Sequence, residues 1–430
     1  MTNSWLPDLV YVDGRFESGR AVVCDSGGKI VEITGNPTDA IRLSGRAMLP
    51  GMVNAHSHAF QRVIRGRTEH RSEHSSDSFW TWREQMYAAA NTLEPDDIYA
   101  ASRLAFFEMA LTGITAVGEF HYIHHARDGS SYSDPNLLER EVIRAARDVG
   151  IRIALLRVAY ARAGYQTEPN PQQVRFIEES PELYLKNLEQ LLDVNDEMAW
   201  IGVAPHSVRA VPLDYLKTII AFANEHALPV HMHVAEQPAE VSACIAEYGR
   251  SPVALLETEG LLSKRFTAVH AIHVTPKAIA ALARNGALVC ACPTTERNLG
   301  DGVVPVDAYF DAGVRVSLGT DSQIQIDLLE DARELEYHLR LQKMERNVLA
   351  PMLAQRLFDC ATVNGAASIG FDGGRIRPGA AADFFTVDLN DPSIAVAAVD
   401  DLLTNIVFSL SQRAVRDVIV GGRRIINTDD

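Results

Sequence analysis

A chain of 430 residues, 47% hydrophobic and 22% charged, has the composition of an ordinary globular enzyme with room for a large core. Its net charge of −16 argues against nucleic acid or an anionic membrane surface as a partner, and an anionic substrate would need a local basic pocket. The start MTNSWLPDLV lacks the basic lead and apolar core of a signal peptide, and no apolar run approaches a membrane span. Five scattered cysteines (Cys24, Cys244, Cys290, Cys292 and Cys360) without CxxC spacing fit reduced thiols, so a cytoplasmic protein is expected.

In chain order, LVYVDGRFES and AVVCDSGGKIVEI are short β-rich runs separated by Gly, Asp and Ser turns. Helical periodicity begins only in the eighties. Pro50-Gly51 ends this region, and strands then alternate with helices. Eight strands are expected: MVNAH (52–56), ITAVGEF (114–120), IRIALLRVAY (151–160), WIGVAPH (200–206), LPVHMHV (228–234), FTAVHAI (266–272), ALVCACP (287–293) and VRVSLGT (314–320). Most are near-continuous apolar runs, as parallel strands covered on both faces require. Helices are expected over 137–149, 181–192 and 328–339, the last with Leu328, Leu329, Ala332, Leu335 and Leu339 on one stripe. Past Ala366, GGRIRPGAAADFFTVDL and RAVRDVIVGGRRIIN return to β character. The fold expected is α/β: a distorted (β/α)₈, TIM-like barrel over 49–372. A small β-sandwich domain beside it is built from both termini, 1–48 and 373–430.

Reactive side chains gather at predicted strand ends, where a barrel of this kind carries its chemistry. Strand one ends in His56-Ser57-His58, whose imidazoles share a face because residues i and i+2 do so in an extended chain. Two neutral imidazoles side by side are costly unless a cation binds them. Strand four ends in His206 and Arg209, strand five in His231-Met232-His233 followed by Glu236, strand six in His270 and His273, and strand eight in Asp321. Three imidazoles and a carboxylate hold a Zn²⁺-like ion with a position left for water, whose pKa the ion lowers. Asp321 can ligate and also accept the water's proton. Glu236 can carry a proton to a leaving nitrogen, and a further His can polarise the attacked group. Such a set suits hydrolysis at an sp² carbon bearing nitrogen. Periodicity does not separate His231 from His233, and Cys290-Ala-Cys292 reads as strand packing.

PGMVNAHSH, HMHVAE, VHAIH and GTDS, in this order and spacing, resemble the amidohydrolase superfamily over nearly the whole chain, and its single-metal deaminase branch in particular. Strand four here has no Lys, as that branch requires. The resemblance implies one divalent ion, Zn²⁺ first and Fe²⁺ second, on His56, His58, His233 and Asp321, with Glu236, His270 and Asp321 catalytic. It also implies a homodimer.

HSHAFQR, DSFWTWREQMY, GEFHYIHH, GVAPHSVRAV, HVAEQ and CPTTERNLGDG are similar, more narrowly, to the formimidoylglutamate deiminases of histidine degradation. What this implies is attack of hydroxide, held by the metal, on the amidine carbon of N-formimidoyl-L-glutamate, giving N-formyl-L-glutamate and ammonia. Substrate contacts carried over are Gln61, Arg83, Tyr122, His206 and Arg209. A small diacid in an acidic protein calls for guanidinium forks, and Arg209 lies just past a strand end. Arg83 also reads as a solvated helix charge. The pattern departs two positions after Asp321, where Gln323 replaces an expected His and alters the surroundings of the metal. The alternative is a deaminase of the same branch acting on a guanine- or adenosine-like ring, which would favour aromatic stacking over paired arginines. A catalytically silent binding protein would have no use for Glu236 and His270.

Overall fold

The computed structural model describes residues 3–35, 39–69 and 78–428. Asp77, which opens the DSFWTWREQMY stretch, and the first two residues of the N-terminal run lie outside them. One sheet is a parallel barrel of eight strands in sequence order, Met52–Ser57, Ile114–His121, Arg152–Ala159, Ala199–Pro205, Val230–Val234, Phe266–His270, Leu288–Ala291 and Val316–Leu318. Every residue of the first three strands is buried, so burial on both faces explains their unbroken apolar character. Helices connect successive strands; Leu137–Val149 and Pro181–Leu191 fall where the apolar period placed them. The helix over 328–343 runs four residues past its apolar stripe, and Asp327 caps it by accepting from Leu329 and Glu330.

The barrel closes between strands one and eight through its own site residues. Asp321 N–H donates to the His56 carbonyl at 3.0 Å, and His58 N–H donates to the Asp321 carbonyl at 3.0 Å. Asn54 locks the same seam, accepting from Thr320 N–H at 3.0 Å and donating to Thr320 Oγ1 at 2.7 Å. Gly319 makes the approach possible: a Cβ there would lie 2.7 Å from His56 Cβ and 2.8 Å from the His56 carbonyl oxygen.

The second sheet is mixed and joins the chain's two ends. Strand Ile41–Pro50 pairs in parallel with Asn3–Val12 on one side and antiparallel with Phe384–Asp388 on the other. Beyond these lie Arg20–Cys24 and Ile30–Gly35 at one edge, and Val415–Val420 and Arg423–Asn427 at the other. Trp5, Val10, Val22, Met48, Phe384 and Ile419 form its core. The sequence ends the β-rich N-terminal region at 48, but the strand continues through Pro50, and only Gly51 separates it from the first barrel strand. A Cβ at Gly51 would lie 2.2 Å from Thr115 Oγ1, so the chain passes between the two sheets where only glycine fits. Helices Pro95–Leu111 and Leu402–Ser409 have no counterpart in the sequence reading. The second is tied to the barrel by Arg333, which donates to the carbonyls of Val407 and Leu410.

Candidate active site

His56, His58, His233 and Asp321 bring their ligand atoms within 4.8 Å of one another at the C-terminal mouth of the barrel. His56 Nε2 and His58 Nε2 lie 3.5 and 3.3 Å from Asp321 Oδ1, and His233 Nε2 lies 3.2 Å from His56 Nε2. Bonds of the length zinc makes to nitrogen, directed to the corners of a tetrahedron, would put donor atoms about 3.3 Å apart. The residues present therefore fit a divalent ion. His58 Nδ1 meets the Phe120 carbonyl at 2.8 Å and His233 Nδ1 meets the His206 carbonyl at 3.1 Å. Donation there fixes both tautomers and turns each Nε2 lone pair toward the cluster. Burial presses the imidazoles toward neutrality: His56 down to about 3, with His58 lowered and His233 well below the usual range. Burial alone would raise Asp321, but His56, His270 and His58 outweigh it and hold the carboxylate ionised. His231, two residues back on the same strand, instead meets the Ser368 carbonyl at 2.9 Å. That contact comes from a helix 137 positions away and separates two histidines that the extended period cannot.

Around Asp321 stand the titratable groups. His270 Nε2 lies 3.6 Å from Glu236 Oε1 and 3.8 Å from Asp321 Oδ2, while its Nδ1 is 3.1 Å from Glu296 Oε1. Burial opposes charge on His270, yet Glu236, Glu296 and Asp321 together raise it well above its ordinary value. Glu240 holds the turn before the helix, accepting from Ala235 N–H at 3.2 Å and Glu236 N–H at 3.1 Å. Cys292, fully buried, forms with His270 and Asp321 a second three-donor group.

A cavity opens above this cluster. Gln61, Arg83, Tyr122, His206 and Arg209 all line it, together with Glu236, His270 and Asp321. Gln61 Nε2 donates to the Tyr122 hydroxyl at 2.9 Å, leaving Gln61 Oε1 buried and without a partner. Arg209 donates to the Ala163 carbonyl at 2.8 Å, and Arg83 lies over the Trp80 ring at 4.5 Å. Among the described residues neither guanidinium pairs with a carboxylate, although the chain is strongly acidic. Arg83 is therefore not a freely solvated helix charge: its Nε is buried without a hydrogen-bond partner.

The sequence reading passed over several residues here. Tyr87 follows Arg83 by one helical turn, and Tyr160 immediately follows strand three, a strand end whose aromatic residue was a legible signal. Glu119 is buried on strand two, accepting from Ser57 Oγ at 2.5 Å and Ala59 N–H at 2.7 Å. Gln323, which the sequence did single out as standing where a His was expected, donates to Ser57 Oγ at 2.8 Å and accepts from Thr320 Oγ1 at 2.9 Å. It acts on the closing seam and takes no part in lining the cavity.

A parallel barrel with a three-histidine, one-aspartate cluster at its mouth defines a metal-dependent hydrolase, and the chain belongs to the amidohydrolase family, whose profile matches residues 47–425. It is a hydrolase acting on carbon–nitrogen bonds. Over 397 residues the chain is 42% identical to the formimidoylglutamate deiminase of Pseudomonas aeruginosa, covering 91% of this chain and 87% of that one. It is 29% identical over 416 residues to a 5-methylthioadenosine/S-adenosylhomocysteine deaminase of Halobacterium salinarum, covering 96% and 90%. Among solved structures, an amidohydrolase from Brucella melitensis superposes with a TM-score of 0.89 at 34% identity, covering 99% of this chain and 96% of the other. No helix among the described residues is long and apolar enough to cross a membrane.

Proposed function

We propose that this chain hydrolyses N-formimidoyl-L-glutamate to N-formyl-L-glutamate and ammonia, with one Zn²⁺ or Fe²⁺ held by His56, His58, His233 and Asp321. The observation that carries the reading is the pair of guanidiniums, Arg83 and Arg209, without carboxylate partners on the wall of a cavity whose floor is the metal cluster. Two such cations suit a substrate with two carboxylates and have no role toward a neutral nucleoside. The 42% identical relative bears the same name as this activity.

The bound ion would supply Lewis acidity, bringing the pKa of water close to neutrality. Asp321 accepts one proton of the attacking water. Glu236 takes the water's other proton to the amidine nitrogen, and the proton on Asp321 follows it there as the carbonyl forms, so that the nitrogen, having gained both, leaves as ammonia when its bond to carbon breaks. His270, braced by Glu296, holds the charge that develops opposite Glu236. Gln61, Tyr122 and His206 offer polar contacts to the substrate's body, and Arg209 and Arg83 hold its anionic end.

A second reading, deamination of an adenosine-like ring, is favoured by Phe79, Trp80 and Trp82, which line the same cavity and could stack on a purine. Ammonia release from N-formimidoyl-L-glutamate, 5-methylthioadenosine, adenosine and guanine decides between them. The diacid amidine should be preferred in kcat/KM by at least about two orders of magnitude, the scale on which a site with buried charges rejects a ligand that leaves them unpaired. A purine turned over faster would overturn the assignment and establish the second reading.

A further inference from the structure

Behind the two arginines lies a hydrogen-bond arrangement that the proposed chemistry does not use. Tyr87 and Tyr160 line the cavity beside Arg83 and Arg209, their hydroxyl oxygens 3.4 Å apart. Gln173, in the short turn Pro171–Gln173 and fully buried, donates from its single amide nitrogen to both, at 2.8 Å to Tyr87 and 2.7 Å to Tyr160. Arg209 Nη1 reaches the Tyr160 hydroxyl as a further donor at 3.4 Å. Both phenolic oxygens are thus accepting, and each hydroxyl still has its own proton to place. Among the described residues neither proton has an acceptor other than the opposite hydroxyl. Gln173 Oε1, meanwhile, is buried with no partner at all. The structure leaves a buried carbonyl unsatisfied while both amide protons go to the tyrosines.

We infer that Tyr87 and Tyr160 donate their hydroxyl protons to a substrate carboxylate beside Arg83 and Arg209, and that Gln173 is the positioning residue that keeps both hydroxyls as donors toward the cavity. The inference rests on the reading that the substrate is a dicarboxylate. It adds two neutral donors and a buried director to the guanidiniums. A guanidinium attracts any anion, whereas two hydroxyls aimed from one amide select for a carboxylate at one place and angle. Turned over, the same amide would accept both phenolic protons and leave the tyrosines nothing to offer, so the polarity of Gln173 is the testable point.

The test uses the metal-loaded enzyme and two readouts. One is glutarate binding by calorimetry. The other is the ratio of kcat/KM for N-formimidoyl-L-glutamate to that for N-butylformamidine, which keeps the amidine and lacks carboxylates. Tyr87→Phe and Tyr160→Phe should each weaken glutarate about tenfold and lower the ratio about tenfold, through KM, as befits one hydrogen bond to a charged group. Gln173→Glu should exceed either, because its carboxylate takes both protons and repels the ligand. Gln173→Met should fall between wild type and Gln173→Glu. Should Gln173→Glu not fold, the two tyrosine variants decide the matter alone. The inference is overturned if wild type does not bind glutarate, if the tyrosine variants bind it as wild type does, if both substrates suffer equally, or if Gln173→Glu and Gln173→Met behave alike. Glutarate binding that depends on Tyr160, in an enzyme inert toward N-formimidoyl-L-glutamate, would uphold this inference and defeat the substrate assignment. Turnover of that substrate with unaffected tyrosine variants would do the reverse.

Discussion

Glu236 has a carboxyl that burial lifts to about 7, against the pull of His270 and with the help of Asp321 and Glu240. A group near neutrality can take a proton and give it back within one turnover, whereas an amide of the same shape can do neither. Glu236→Gln is therefore expected to lower kcat on the order of a hundredfold or more while metal analysis still finds one equivalent per chain. A variant with wild-type kcat would remove Glu236 from the mechanism and leave Asp321 as the first candidate for proton carrier. That Glu236 was legible at all follows from local spacing, since it lies three residues past His233 at a strand end. Residues that act through distant partners were not legible. Nothing local to Gln173 announces that its amide meets Tyr87 from 86 positions away. Gln323 was noticed only as a departure from a pattern, and its role needed Ser57, 266 positions distant. Glu119 is hidden inside an apolar strand, where a lone carboxylate carries no periodic signal.

Strand three, the helix 137–149 and the segment after the turn at 171–173 are joined by a fully buried polar cluster. Arg157 forks onto Glu178 at 2.5 and 3.0 Å and reaches Glu139 at 3.3 Å, while His124 Nδ1 meets Glu139 at 2.6 Å. Burial alone would raise Glu178, but Arg157 overrides it and brings the carboxyl down from 4.5 to about 2. A carboxyl held lower in the folded state than in the unfolded one contributes stability above its unfolded value and loses it as the pH falls through its folded value. The contribution of Glu178 should thus be complete near neutral pH and vanish between about pH 4.5 and about 2. Glu178→Gln leaves Arg157 partly unpaired in the interior and is expected to cost roughly 3–5 kcal/mol at pH 7. Thermal melts of wild type and variant should converge as the pH falls through that window; a constant gap down to pH 2 would sink the attribution. At this scale the barrel strands were legible because burial on both faces writes a continuous apolar run. Helix 95–111 was missed because Leu104, Phe107 and Leu111 are exposed, which blurs the apolar stripe.

The barrel and the terminal sheet meet through a buried ion pair as well as through the strand passing from one to the other. Arg152, at the start of strand three, donates to Asp383 from Nε at 2.7 Å and Nη2 at 3.0 Å, and lies over the Phe371 ring at 5.4 Å. Asp383 is consumed on the sheet side, accepting from Gly421 N–H at 2.8 Å while its carbonyl accepts from Gly51 N–H at 2.9 Å. The union of the two chain ends was readable from their shared β character. This pair was not, because no local pattern marks an arginine and an aspartate 231 positions apart. Removing one partner leaves the other charge buried and uncompensated, at a cost of about 3–5 kcal/mol, whereas well-packed apolar replacements of both are often tolerated. Asp383→Asn and Arg152→Met should each lower the melting temperature by several degrees, and Arg152→Met with Asp383→Leu should recover most of that loss. In all three, kcat measured well below the melting transition should stay within about twofold of wild type, since neither residue lines the cavity. Single variants as stable as wild type would show the pair to be dispensable. A double variant no better than the sum of its parts would show that the side chains contribute shape there, and the charges little.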